Sequence, residues 1–117
     1  ERDDLVAIHI EAPDEAAHEG AVDDKIEAIE MVDREVVGRF LSWGKDSLRL
    51  LALPDHPTPI ETRTHAPDPV PFILWGPGFG AAGGGAFSEA EAAGGGLLVE
   101  DGHSLMGRLV SGDWAER

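Results

Sequence analysis

No cysteine occurs in the 117 residues, which excludes disulfides and thiolate zinc sites and fits a cytoplasmic protein. Basic side chains are scarce. Nine Lys and Arg stand against 23 Asp and Glu, a formal charge of -14. That balance repels nucleic-acid phosphates and argues against such a partner. No apolar run is long enough to span a bilayer and no signal peptide opens the chain, so no membrane partner is expected. Position 1 is not Met: Glu1-Arg2-Asp3-Asp4 leads almost at once into an apolar run, the start expected of a piece of a larger protein. The acid excess is awkward for a phosphorylated substrate as well, unless divalent cations dominate the local field. The length suits one domain with a modest core.

What is present reads as α/β. Apolar runs at residues 5–10, 48–53 and 70–75 predict three strands, with Pro71 tolerable near a strand's beginning. The first reads as buried on both faces, as in a parallel sheet, with His9 packed and hydrogen-bonded. Between the first two, Val22, Ile26, Ile29, Val36, Val37 and Phe40 recur at spacings of three, four and seven. They predict a long helix near 21–43 that stops at Gly44 and covers one sheet face. Glu30 with Arg34, and Glu35 with Arg39, are acid-first i,i+4 pairs on its wet side. Strand, helix and strand then predict right-handed β-α-β crossovers. Residues 78–83 satisfy G-x-G-x-x-G, but Gly84 and Gly85 follow where a long helix is needed, so a flexible loop is expected. Gly94-Gly95-Gly96 reads as a second break, between short helices near 86–93 and 103–110.

The chemistry gathers in two loops. Pro54-Asp-His-Pro-Thr-Pro59 follows the second apolar run, and its three prolines end the strand and stiffen the turn. Asp55 and His56 emerge side by side, with His65 nine residues beyond His56. Upstream, Pro13 suits the first turn of a helix, which places Asp14 and His18 four apart on one face. In an α/β sheet such loops gather where ligands bind. Carboxylates and imidazoles without thiolate suit a pair of Mn, Zn or Mg ions with open positions. Lys25 and Arg63 are candidate clamps for a substrate phosphate or carboxylate. The plainer alternative is a solvated polar turn in an acidic interaction module.

The stretch His9 to Gly20, the run Leu53-Pro-Asp-His-Pro-Thr-Pro59 and the run Thr64-His-Ala-Pro-Asp-Pro-Val-Pro-Phe-Ile-Leu-Trp-Gly-Pro-Gly78 together resemble a known family. So do Phe87 to Ala93 and Leu105-Met106. The family is the archaeal-type cofactor-independent (2,3-bisphosphoglycerate-independent) phosphoglycerate mutase, in its C-terminal part, within the alkaline phosphatase superfamily. The resemblance implies a partial alkaline-phosphatase-like sheet flanked by helices, and two divalent ions with Mn foremost. It implies Asp14, His18 and His65 on one ion, and Asp55 with His56 on the other. It also implies a serine nucleophile, upstream of these residues, that carries the phosphoryl group between the 3- and 2-positions of glycerate. Residues 1–117 are then the metal-binding portion and inactive alone. Another metallo-hydrolase of the superfamily, acting on phosphate or phosphonate esters, shares the same ligands.

Overall fold

A proline opens the first helix and a glycine closes it. In the computed structural model, which describes residues 4–44, 47–80, 85–95 and 97–112, α1 spans Ala12–Glu19 with Pro13 in its first turn. Gly20 ends it at φ 75°, in the left-handed region, and the Ala21 N–H donates to the Ala16 carbonyl at 2.9 Å. This closure satisfies an otherwise orphaned helix-end carbonyl and turns the chain sharply. The turn lays α2 (Val22–Val32) against α1, whose Ala16 and Ala17 are buried. Their small side chains allow close approach.

The helix predicted over 21–43 is present as one helical run with a change of pitch. A π-helical turn, Asp33–Val37, links α2 to α3 (Gly38–Trp43). Arg39 pairs with Glu35 at 2.6 Å, as its spacing predicts, but Arg34 turns to neighbouring Glu35 at 3.1 Å rather than to Glu30. Glu35 thus collects both guanidinium groups, and Glu30 is left out of the pairing that its spacing predicts. The apolar stripe is real yet thinly covered: Val22, Ile26 and Ile29 are each about half exposed and Trp43 is 80% exposed. The principal packing partner of α2 is α1 rather than the sheet.

The sheet is smaller than the sequence predicts. Strands β1 (Leu50–Ala52) and β2 (Ile73–Trp75) pair antiparallel, with Leu50 opposite Trp75, Leu51 opposite Leu74 and Ala52 opposite Ile73. No helix lies between them, so the chain doubles back instead of making the crossover that parallel pairing needs. Residues 5–10 form no strand among the described residues, and Leu5, Val6, Ile8 and Ile10 are exposed. An apolar run becomes a strand only where another strand accepts its hydrogen bonds. His9 accordingly is not packed; it lies 72% exposed, 3.5 Å from Glu11. The architecture is still a mixed α/β one, with helices flanking a small open sheet.

Two short helices complete it. Helix α4 (Glu89–Gly94) is capped by Ser88, whose hydroxyl accepts the Glu91 N–H, and α5 (Ser104–Ser111) buries Leu105 and Leu109. Arg49, just before β1, donates to the carbonyls of Pro77 (2.9 Å), Val110 (2.8 Å) and Leu109 (3.2 Å), tying the sheet to the end of α5. Gly76, at φ 123°, lets the turn after β2 pass so close to the Leu48 carbonyl that a Cβ would collide with it. The expected loop at 78–83 and the break at Gly96 fall largely at 81–84 and 96, outside the described residues. The radius of gyration is 15.1 Å, against about 13 Å for a compact domain of this length.

Candidate metal centre

The site begins with the spacing on α1. One helical turn separates Asp14 from His18, so His18 Nε2 lies 3.3 Å from Asp14 Oδ2. The proline-rich segment after β1 folds over this face. The Arg63 N–H donates to the Pro59 carbonyl and the Ala66 N–H to the Pro57 carbonyl, each at 2.9 Å, which makes residues 57–66 a closed loop. That closure carries His65 back across the nine residues from His56, and the two rings stack with centroids 3.6 Å apart. His65 Nε2 then lies 3.2 Å from His18 Nε2 and 3.7 Å from Asp14 Oδ1. Ligand atoms of Asp14, His56 and His65 all fall within 4.8 Å of one another.

Most of these side chains are also held by partners outside the cluster of ligands. The His18 Nδ1–H donates to the Arg63 carbonyl at 2.8 Å. A carbonyl only accepts, so Nδ1 carries the proton and neutral His18 turns the Nε2 lone pair toward Asp14 and His65. Arg63 reaches this position with φ 52°, the only non-glycine residue at positive φ among those described. Its guanidinium lies over Gly20, where a Cβ would sit 2.6 Å from it. The Thr58 hydroxyl donates to Asp14 Oδ1 at 2.5 Å and lies 3.3 Å from His56 Nδ1. Lys25 Nζ donates to the Thr58 carbonyl at 2.7 Å, joining α2 to the loop. Asp55 stands at the edge and is mostly exposed. Its Oδ1 accepts the His56 N–H at 3.1 Å and its Oδ2 lies 3.5 Å from His56 Nε2.

The Thr58 hydrogen bond is the main cause holding the Asp14 carboxyl below its ordinary value of 3.8; His18, His65 and His56 act in the same direction and partial burial opposes them. Asp14 is thus an anion across the neutral range, facing the Nε2 atoms of His18 and His65. One carboxylate and two or three imidazoles, half exposed and without thiolate, fit a divalent ion with open positions. Donors at about 2.1 Å from one ion lie roughly 3–4 Å apart, close to the spread found here.

All five sequence-predicted ligands therefore lie in one neighbourhood, with Asp14, His18 and His65 in mutual contact, His56 stacked on His65, and Asp55 beside His56. The convergent trio joins His56 to two residues of the other expected set. Lys25 and Arg63 border the cluster through the loop backbone. Thr58 went unnoticed in the sequence; its signal is a hydroxyl between two prolines directly after an Asp-His pair.

Known proteins are similar to this chain in sequence. Residues 1–106 match the profile of the metalloenzyme superfamily. The 2,3-bisphosphoglycerate-independent phosphoglycerate mutase of Methanothrix thermoacetophila is 50% identical over 112 residues, covering 93% of this chain and 29% of that protein. Mutase 2 of Methanothermobacter thermautotrophicus is 49% identical over 104 residues, 88% of this chain and 26% of that protein. The mutase of Methanosarcina barkeri is 44% identical over 111 residues, 92% of this chain and 28% of its own length. The chain thus spans 26–29% of the length of these relatives. No solved structure matches significantly. With its resemblance to the phosphoglycerate mutases borne out and its profile matched over residues 1–106, the chain belongs to the metalloenzyme superfamily.

Proposed function

We propose that this chain is the metal-binding part of an enzyme that interconverts 3-phosphoglycerate and 2-phosphoglycerate by phosphoryl transfer. The observation that carries the reading is the convergence of Asp14, His56 and His65 in a chain 50% identical to such a mutase. Two divalent ions are proposed, with Mn favoured over Zn or Mg. Asp14, His18 and His65 would hold one, and Asp55 with His56 the other. Bound there, they would neutralise the phosphoryl oxygens and stabilise charge as the bond to the leaving oxygen breaks.

This chain's own residues supply position and charge. Asp14, kept ionised by Thr58, offers an anionic ligand at neutral pH. His18 stays in one tautomer because its Nδ1–H is committed to the Arg63 carbonyl. Lys25 has two donors left after its bond to Thr58, and the Arg63 guanidinium is planar and permanently charged. Both are proposed to meet the phosphate or carboxylate of the substrate. Retaining the phosphoryl group while glycerate turns requires a covalent acceptor. The Ser42 and Ser111 hydroxyls donate to helix carbonyls and Ser88 caps α4, so they are committed to backbone. The nucleophile is proposed to be a serine outside these 117 residues.

An enolase-coupled assay tests the reading. The intact protein supplied with Mn should turn over 3-phosphoglycerate, residues 1–117 alone should not, and Asp55→Asn in the intact protein should lower the rate about 100-fold or more, since loss of a mere hydrogen-bond partner to a metal ligand already costs ~10–100-fold. Mutase turnover by residues 1–117 alone, or an inactive intact protein, would contradict it. Release of free phosphate without isomerisation would point to a hydrolase.

A further inference from the structure

The buried polar side chain at the centre of the site belongs to no ligand set. Thr58 is 6% exposed and is pinned from several sides: Pro57 and Pro59 flank it, and the Lys25 ammonium holds its carbonyl at 2.7 Å. Its hydroxyl reaches Asp14 Oδ1 at 2.5 Å and His56 Nδ1 at 3.3 Å. A hydroxyl has one proton. An ionised carboxylate only accepts, so that proton is spent on Asp14, and toward His56 the same oxygen acts as acceptor. On this geometry His56 carries its own proton on Nδ1, and its Nε2 lone pair stands beside Asp55 Oδ2 at 3.5 Å, two donors that a divalent ion could share. One buried oxygen thereby fixes the orientation of a carboxylate and the tautomer of an imidazole from two different elements.

We propose that Thr58 is the positioning residue of the metal centre, presenting Asp14 and His56 together to a divalent ion. The inference rests on the metal-binding reading above. Outer-shell partners of this kind are worth about 10–100-fold in metal affinity. Lys25 supports the arrangement by anchoring the Thr58 backbone, which keeps the hydroxyl from swinging toward solvent.

The test combines two readouts on the intact protein. Imidazole nitrogen–proton correlation spectra of the metal-free protein report the His56 tautomer, and calorimetry with Mn or Zn reports affinity. The wild type should show His56 protonated on Nδ1. Thr58→Ser, which keeps the hydroxyl, should retain both that tautomer and the affinity. Thr58→Val, similar in shape, should lose the tautomer preference and bind about 10–100-fold more weakly. A wild-type His56 protonated on Nε2 overturns the inference without recourse to any variant. So does a Thr58→Val protein of undiminished affinity, or a Thr58→Ser protein as weak as Thr58→Val. A wild type that binds neither ion overturns the metal reading itself, and the assignment of Thr58 falls with it.

Discussion

Asp14 is the residue on which the site's electrostatics turn. Its ordinary pKa is lowered in the folded protein, first by the Thr58 hydroxyl and then by the three neighbouring histidines. A carboxyl whose folded pKa lies below its unfolded one adds stability above the unfolded value, and that stability is lost as pH falls through the folded value. Metal-free protein should therefore lose part of its unfolding free energy below about pH 4, and Asp14→Asn should lack that part. Urea unfolding of both proteins between neutral pH and acid is the check; parallel pH profiles would remove Asp14 as a linked group. Partial exposure of Asp14 keeps the effect small. Asp14 and His18 were legible in the sequence because a spacing of four on a helix is a geometric statement. The Asp55-His56 pair was legible from its place after an apolar run. Thr58 was not, since a single hydroxyl carries no period, and its importance exists only once α1 and the loop meet. The Arg63 backbone was equally hidden: positive φ at an arginine follows from the closed loop, not from the residue type.

Among the elements, the helices followed their pattern and the sheet did not. The helical run from α2 to α3 matches its predicted span because 3.6-residue periodicity is local information. The run at residues 5–10 has the composition of a strand and lacks a hydrogen-bonding neighbour among the described residues, and that neighbour is non-local information. The same limit explains why parallel crossovers were expected where a short antiparallel pair forms. What holds that pair to the helices is Arg49, whose guanidinium satisfies carbonyls at Pro77, Leu109 and Val110. A methionine keeps the aliphatic stem and removes every donor. Arg49→Met should cost about 1–3 kcal/mol, the usual worth of hydrogen bonds to a charged group, and should speed amide exchange in α5 more than in α1. Chemical unfolding and hydrogen exchange would show it; uniform protection of the two helices in the variant would mean that Arg49 is dispensable.

For the whole molecule, thin packing and excess negative charge point the same way. Among the described residues the buried apolar set is Ala16, Ala17, Leu105 and Leu109, and no helix is long and apolar enough to cross a membrane. With 23 acidic side chains and nine basic ones, self-repulsion works against compactness. A cation bound where an acid and several imidazoles converge would relieve that repulsion and should stabilise the folded form, by about 2.7 kcal/mol at a hundredfold excess over Kd. Because its ligands must be deprotonated, binding releases protons and should weaken in acid. The most direct measurement is calorimetric titration of Mn or Zn into the wild type and His18→Ala at neutral pH, repeated with the wild type in mild acid, where proton competition for the ligands is stronger. The account predicts saturable uptake by the wild type, weaker uptake by His18→Ala and marked loss in acid. Absence of saturable binding, or equal affinity in the two proteins, would contradict it.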